Sequence, residues 1–153
     1  MAMRERLEAS LRQAMRDKEA VRLSTLRLIT AAVHERDIAA RSAADDTGVD
    51  DAEIMALLGK MVKQREESAN VYESGGRLEL AEREREEIAI IREFLPTPLT
   101  DEETDAAIDR IIQETGASSL KDMGAVMGRL KSDYVGRIDV GSVGKRVKAK
   151  LAG

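Results

Sequence analysis

Phe94-Leu95-Pro96-Thr97-Pro98-Leu99-Thr100-Asp101-Glu102-Glu103 decides how this chain divides. Each proline lacks an amide donor and drives the residue before it to an extended conformation, so a helix arriving at Leu95 cannot run through. Directly downstream, the Thr100 hydroxyl is placed to accept the amide N–H of Glu103, and three carboxylates follow at the positive end of the helix dipole. A stop and a start this close together predict two helical parts, residues 1–95 and 96–153.

Working back from the break, apolar residues recur at helical spacing. Met3, Leu7, Leu11 and Ala14 mark a first helix ending near Asp17, and Leu23, Leu26, Ile29, Thr30 and Val33 mark a second over about 19–41. Ile54, Leu57, Leu58, Met61 and Tyr72 mark a third over about 51–74, which Gly75-Gly76 closes with a left-handed residue. A fourth starts near Arg77 with Ala81, Ile88, Ile91 and Leu95 on one stripe, and residues 42–49 form the loop. Downstream, the fifth helix buries Ala107, Ile108, Ile111 and Ile112 and stops at Gly116; a sixth spans about 120–132 and a seventh about 140–151, with Asp139 as its N-cap. Sustained strand alternation is absent from the sequence, so the expected fold is all-α, about four helices and then three.

With 153 residues, 42% hydrophobic and 35% charged, the chain can bury a core and lies outside the low-apolar signature of disorder. Cysteine is absent, which excludes disulfides, thiolate metal sites and thiol nucleophiles. The start alternates charge without an apolar core and the longest apolar run is Ile54 to Leu58, so neither export nor membrane insertion is expected, and the expected compartment is cytoplasmic.

His34 is the only histidine, and a lone helical histidine is more often a surface residue than a ligand. Asp45, Asp46, Asp50 and Asp51 miss the calcium-loop spacing, and the last two read as a helix N-terminus. Glu82, Glu84, Glu86 and Glu87 interleave with Arg83 and Arg85 in the manner of a solvated, ion-paired face. Ser24, Ser118 and Ser119 have no histidine nearby in sequence, and no nucleophile elbow or phosphate loop is present. No catalytic residue, metal site or cofactor is expected.

Charge distribution is more informative than its sum. From Ala117 onward Lys121, Arg129, Lys131, Arg137, Lys145, Arg146, Lys148 and Lys150 oppose three aspartates, a local +5 within a chain of net −4. The eight are candidate phosphate contacts. With only Tyr72, Phe94 and Tyr134 as aromatics, base stacking is not expected, so any RNA contact is led by phosphate and shape. Gly124 and Gly128 bare one turn of the sixth helix, for close packing by a neighbouring helix in the first place or for approach of a sugar-phosphate strand. Gly141 and Gly144 lower helix propensity at the start of the seventh helix by about 1 kcal/mol each and predict a first turn prone to fraying.

Four segments in order carry a resemblance: Arg22-Leu23-Ser24-Thr25-Leu26-Arg27-Leu28; Lys63-Gln64-Arg65-Glu66-Glu67-Ser68 with Tyr72, Gly76-Arg77 and Leu80-Ala81-Glu82; Glu87-Ile88 to Phe94-Leu95-Pro96; and Lys121-Asp122-Met123-Gly124-Ala125-Val126-Met127 with Gly136-Arg137. Together they resemble the GatB/YqeY family, in particular its small free-standing YqeY-like members. The resemblance implies a helical domain joined to a three-helix domain similar to the tail of the GatB subunit of glutamine-dependent tRNA amidotransferase, which engages tRNA. It also implies the family's activity label, carbon-nitrogen ligation with glutamine as amide donor. That reaction needs a glutaminase nucleophile and a nucleotide site, and the sequence displays neither. The resemblance and the basic tail lead to a tRNA-associated accessory protein. The alternatives are a helical adaptor docking onto an amidotransferase or translation factor, and a ligase in its own right.

Overall fold

The computed structural model describes residues 2–41 and 47–152; Asp45 and Asp46, weighed above as cation ligands, lie outside the described residues. All regular structure among the described residues is helical: α1 (Met3–Asp17), α2 (Ala20–Ala40), α3 (Asp51–Ser74), α4 (Leu78–Arg92), α5 (Asp101–Thr115), α6 (Met123–Asp133) and α7 (Val140–Ala152), with one 3-10 turn at Leu120–Asp122. The chain resolves into two compact units, Met1–Leu95 and Pro96–Gly153.

In the first unit α1 ends without a glycine: Lys18 takes the left-handed conformation and its N–H donates to the Ala14 carbonyl. The Asp50 carboxylate caps α3 by accepting the Glu53 N–H at 2.8 Å, which is the role of a helix N-terminus rather than of a cation ligand. α3 and α4 form an antiparallel hairpin closed at Gly75-Gly76, where Gly76 holds the positive φ. Met3, Leu7, Leu26, Ile29, Ile54, Leu58, Ile88 and Ile91 are buried together with Phe94 in one core. Full burial of such side chains is worth about 1.5–3 kcal/mol each.

Three expectations shift here. Thr30, expected on the buried stripe of the second helix, is exposed, and Thr25 is fully buried instead. Thr25 tolerates this because its hydroxyl donates to the Val21 carbonyl at 2.8 Å. α4 stops at Arg92, so Leu95 is only partly covered and Phe94 takes the buried place. Glu87 does not belong to a solvated face: it is 9% exposed, one residue before Ile88 at the edge of the apolar stripe.

The second unit has its own core of Ala107, Ile108, Ile111, Val126, Met127, Leu130, Val143, Val147 and Leu151. α5 opens with the expected capping box, Glu103 N–H to the Thr100 hydroxyl at 3.1 Å and Thr100 N–H to the Glu103 carboxylate at 3.0 Å. It closes at Gly116, whose φ of 70° an L side chain adopts only with strain. The sixth helix does not begin as an α-helix at Leu120. The Asp122 carboxylate accepts the N–H groups of Ser118 (2.8 Å) and Ser119 (3.1 Å), which tightens that first turn to 3-10 geometry before α6 proper.

Candidate nucleic-acid interface

The eight basic residues of the tail are distributed over the 3-10 turn, α6, the turn after it and α7, and they fall into two groups. In the first, the charge is spent inside the second unit. Arg146 sits between the Asp101 and Asp105 carboxylates of α5, at 3.0 Å from each, and Lys150 lies 2.9 Å from Asp109. The three aspartates recur every four residues, so α5 presents one acidic row to the flank of α7. Arg129 of α6 donates to Glu114 at 2.7 Å and lies 3.5 Å from Asp133. Arg110, which the sequence reading passed over, joins this network through Glu114 (3.2 Å) and the Tyr134 hydroxyl (3.0 Å). The two guanidiniums hold the Glu114 carboxyl below the ordinary glutamate range, Arg129 foremost. The i,i+4 spacing of Arg110 to Glu114 and of Arg129 to Asp133 was the available signal for this network.

Arg137 is occupied differently. Its guanidinium donates to the Thr97 carbonyl at 2.8 Å while its own carbonyl accepts the Leu99 N–H at 2.9 Å. It therefore anchors the Pro-Thr-Pro segment to the turn that follows α6, meeting the carbonyl of a stretch whose prolines offer no N–H groups.

The second group comprises Lys121, Lys131, Lys145 and Lys148. All four are exposed, and none makes an ion pair within 4.0 Å among the described residues. Lys145 and Lys148 are three apart and share the outer side of α7, since Val143, Val147 and Leu151 define the inner one. Lys131 follows Gly124 and Gly128 at helical spacing along α6, away from buried Val126, Met127 and Leu130.

Gly124 and Gly128 are not packing glycines. Both are exposed, and among the described residues a Cβ added at either would meet nothing within 4 Å, so no helix of the second unit packs on that bare turn. Close packing falls to Gly144 of α7, where an added Cβ would touch the Met123 and Met127 methyl groups at 3.8 and 4.0 Å. Val143 and Val147 turn inward on either side of it, and the methionines fill the space a larger residue would take.

The segments that carried the family resemblance in the first unit join its helices to one another. Arg22 of α2 makes a bidentate pair with Glu93 at 2.6 and 3.1 Å. Arg65 of α3 lies 3.2 Å from Glu87 of α4, and Arg83 approaches the same carboxylate at 3.5 Å and the Ser24 hydroxyl at 3.5 Å. Outside those segments, Arg4 forks onto Asp37 at 2.5 and 2.7 Å and donates to the Val49 carbonyl at 2.8 Å, while Asp37 accepts the Val49 N–H. The Arg4 hydrogen bond lowers the Asp37 pKa to about 2. None of these groups lines a site with a nucleophile beside a base, and His34 is exposed.

The model of the family described as YqeY-like protein matches residues 4–151. The chain belongs to the YqeY-like family. Among curated relatives it is similar to proteins named altered inheritance of mitochondria protein 41, mitochondrial. That of Pyrenophora tritici-repentis is 30% identical over 149 residues, covering 94% of this chain and 77% of the relative. That of Clavispora lusitaniae is 29% identical over 130 residues, 83% of this chain and 73% of the relative. The Vanderwaltozyma polyspora protein is 25% identical over 123 residues, 76% of this chain but only 64% of the relative, so the chain spans less than two thirds of that protein's length. Among the described residues no helix is long and apolar enough to cross a membrane.

Proposed function

We propose that this YqeY-like protein is a tRNA-associated accessory protein whose second unit contacts the sugar-phosphate backbone through Lys121, Lys131, Lys145 and Lys148. The observation that carries the reading is the division of the basic tail. The arginines and Lys150 are consumed by carboxylates and a carbonyl of the same unit, whereas four lysines stand exposed without an ion pair among the described residues. A flexible ammonium in water costs little to redirect toward a phosphate, while Arg146 would first give up two aspartates. The open face at Gly124 and Gly128, adjoining Lys131, favours close approach of a backbone. No base is selected by such a set. The expected compartment is the cytoplasm, or the mitochondrion by analogy with the relatives' names.

The second reading is a helical adaptor for an amidotransferase or translation factor. It is favoured by the balance of the second unit, in which nine basic and nine acidic residues cancel, so that no net field draws a polyanion in. The ligase reading derives from the family label alone.

Salt separates the first two. tRNA binding by the intact chain, measured across a salt series, is expected to show a log–log slope of somewhat below one per phosphate contact, about three for four lysines. Replacing Lys121, Lys131, Lys145 and Lys148 with Gln should abolish most of that slope, while R146Q with K150Q changes it little. Equal slopes for parent and four-lysine variant would reject the RNA reading. A glutamine- and ATP-dependent ammonia-release assay on the purified chain tests the ligase reading.

A further inference from the structure

A groove of about 350 Å³ runs along the α3–α4 hairpin of the first unit, with Ala69, Ile88 and Ala89 as its floor and Asn70 on one wall. Its walls have opposite charge. Glu66 lines the α3 side and Arg85 and Arg92 the α4 side; Glu66 pairs across the groove with Arg92, and Glu73, one turn beyond Asn70 on α3, pairs with Arg85 at 2.5 Å. All four side chains are about half exposed, so each retains donors or acceptors facing outward.

The geometry points to a second copy of this chain as the occupant of the groove. A two-fold axis lying in the contact plane and parallel to the helices sets each α3 above the α4 of the other copy at the same height. Glu66 then meets Arg92 of the second copy, and Glu73 meets its Arg85, so every intramolecular pair gains an intermolecular counterpart. An in-plane axis perpendicular to the helices would instead stack acid on acid and base on base. The charge pattern is thus self-complementary in one arrangement only, and the small exposed side chain of Ala89 lets the two hairpins approach closely along it.

The contact is small. α4 has 15 residues, about 22 Å of helix; two helices of that length side by side offer about 450 Å² per copy, at the low end for a specific association. The dimer is therefore weak and concentration-dependent, and salt weakens it further because its charges are exposed. This inference stands independently of the RNA reading, since it uses only the first unit.

Sedimentation equilibrium of the full chain decides it. The mass is expected to rise from 16.8 kDa toward twice that value as concentration is raised from about 10 to about 500 µM, the regime of a weak, transient contact. R85E/R92E, with all-acidic walls, and E66R/E73R, with all-basic walls, are each expected to remain monomeric, and their equimolar mixture to associate more tightly than the parent. N70W fills the groove from an exposed position without altering charge and should also abolish the dimer; it decides the matter if circular dichroism shows a charge variant to be unfolded. A parent chain that stays monomeric throughout, or a dimer that survives N70W, overturns the inference.

Discussion

The two units use the same residue types for opposite purposes. In the first, arginines reach between helices distant in sequence and meet carboxylates at the edge of the core: Arg65 and Glu87 retain only 15% and 11% of their side-chain exposure. In the second, Arg146, Lys150 and Arg129 meet α5 acids on the rim, where partners such as Asp101 are 81% exposed. A charge pair that has lost its water must be complete or it is costly, whereas a rim pair contributes little to stability. The Arg65–Glu87 pair thereby helps to fix the first unit, and the rim pairs of the second add little to its stability.

The contrast is broken most directly by removing one arginine from each kind of pair. R65M leaves Glu87 buried with Arg83 alone, and the expected loss is about 3 kcal/mol of unfolding free energy in a urea titration. R146Q should cost under about 1 kcal/mol in the same measurement. Comparable losses for the two would show that exposure does not distinguish the units.

Next in size is Gly48→Ala. Gly48 has φ +86°, and an added Cβ would lie 2.6 Å from the Asp37 carboxylate and 2.8 Å from the Arg4 guanidinium. Strain and displacement of the clamp should together cost about 2 kcal/mol. The same clamp makes the first unit acid-sensitive. Asp37 titrates near 2 when folded against about 3.9 when unfolded, so its contribution is complete above pH 4 and is lost as pH falls toward 2. Solvent screening at this partly exposed pair leaves about 1 kcal/mol of it. Acid titration of the parent against D37N, followed by circular dichroism, should show that part of the pH dependence vanish in the variant.

The smallest effect has the opposite sign. G124A and G128A place a methyl group in open space within α6 and should each stabilise the second unit by about 0.5–1 kcal/mol. If the bare turn serves close approach of a phosphate backbone, the same substitutions weaken tRNA binding as they raise the melting temperature. A rise in stability with unchanged binding would remove the glycines from the interface while leaving the lysines in it.

The helices were legible because their signals are local. Thr100 and Glu103 lie within one turn, Gly116 and Gly76 act through their own φ, and the 3.6-residue stripe is a property of neighbours. Residues at the edges of stripes were not. Thr25 and Thr30 differ by five positions and carry the same hydroxyl, and only the helix packed against α2 selects which is covered. Glu87 reads like its exposed neighbours because burial of a carboxylate depends on Arg65, twenty-two residues away. Gly124, Gly128 and Gly144 are the same residue in two adjoining helices, and the sequence offered no sign that the last would pack and the first two would not.

What the sequence determined by itself was the all-helical architecture, the helix boundaries marked by caps and glycines, the absence of thiol chemistry, and the presence of a basic tail. Tertiary structure alone decided which of those charges are paired within the second unit. An ion pair requires two side chains within about 4 Å, a condition on distance in space that is blind to separation along the chain. The acidic row of α5 and the basic row of α7 acquire meaning only once they lie side by side.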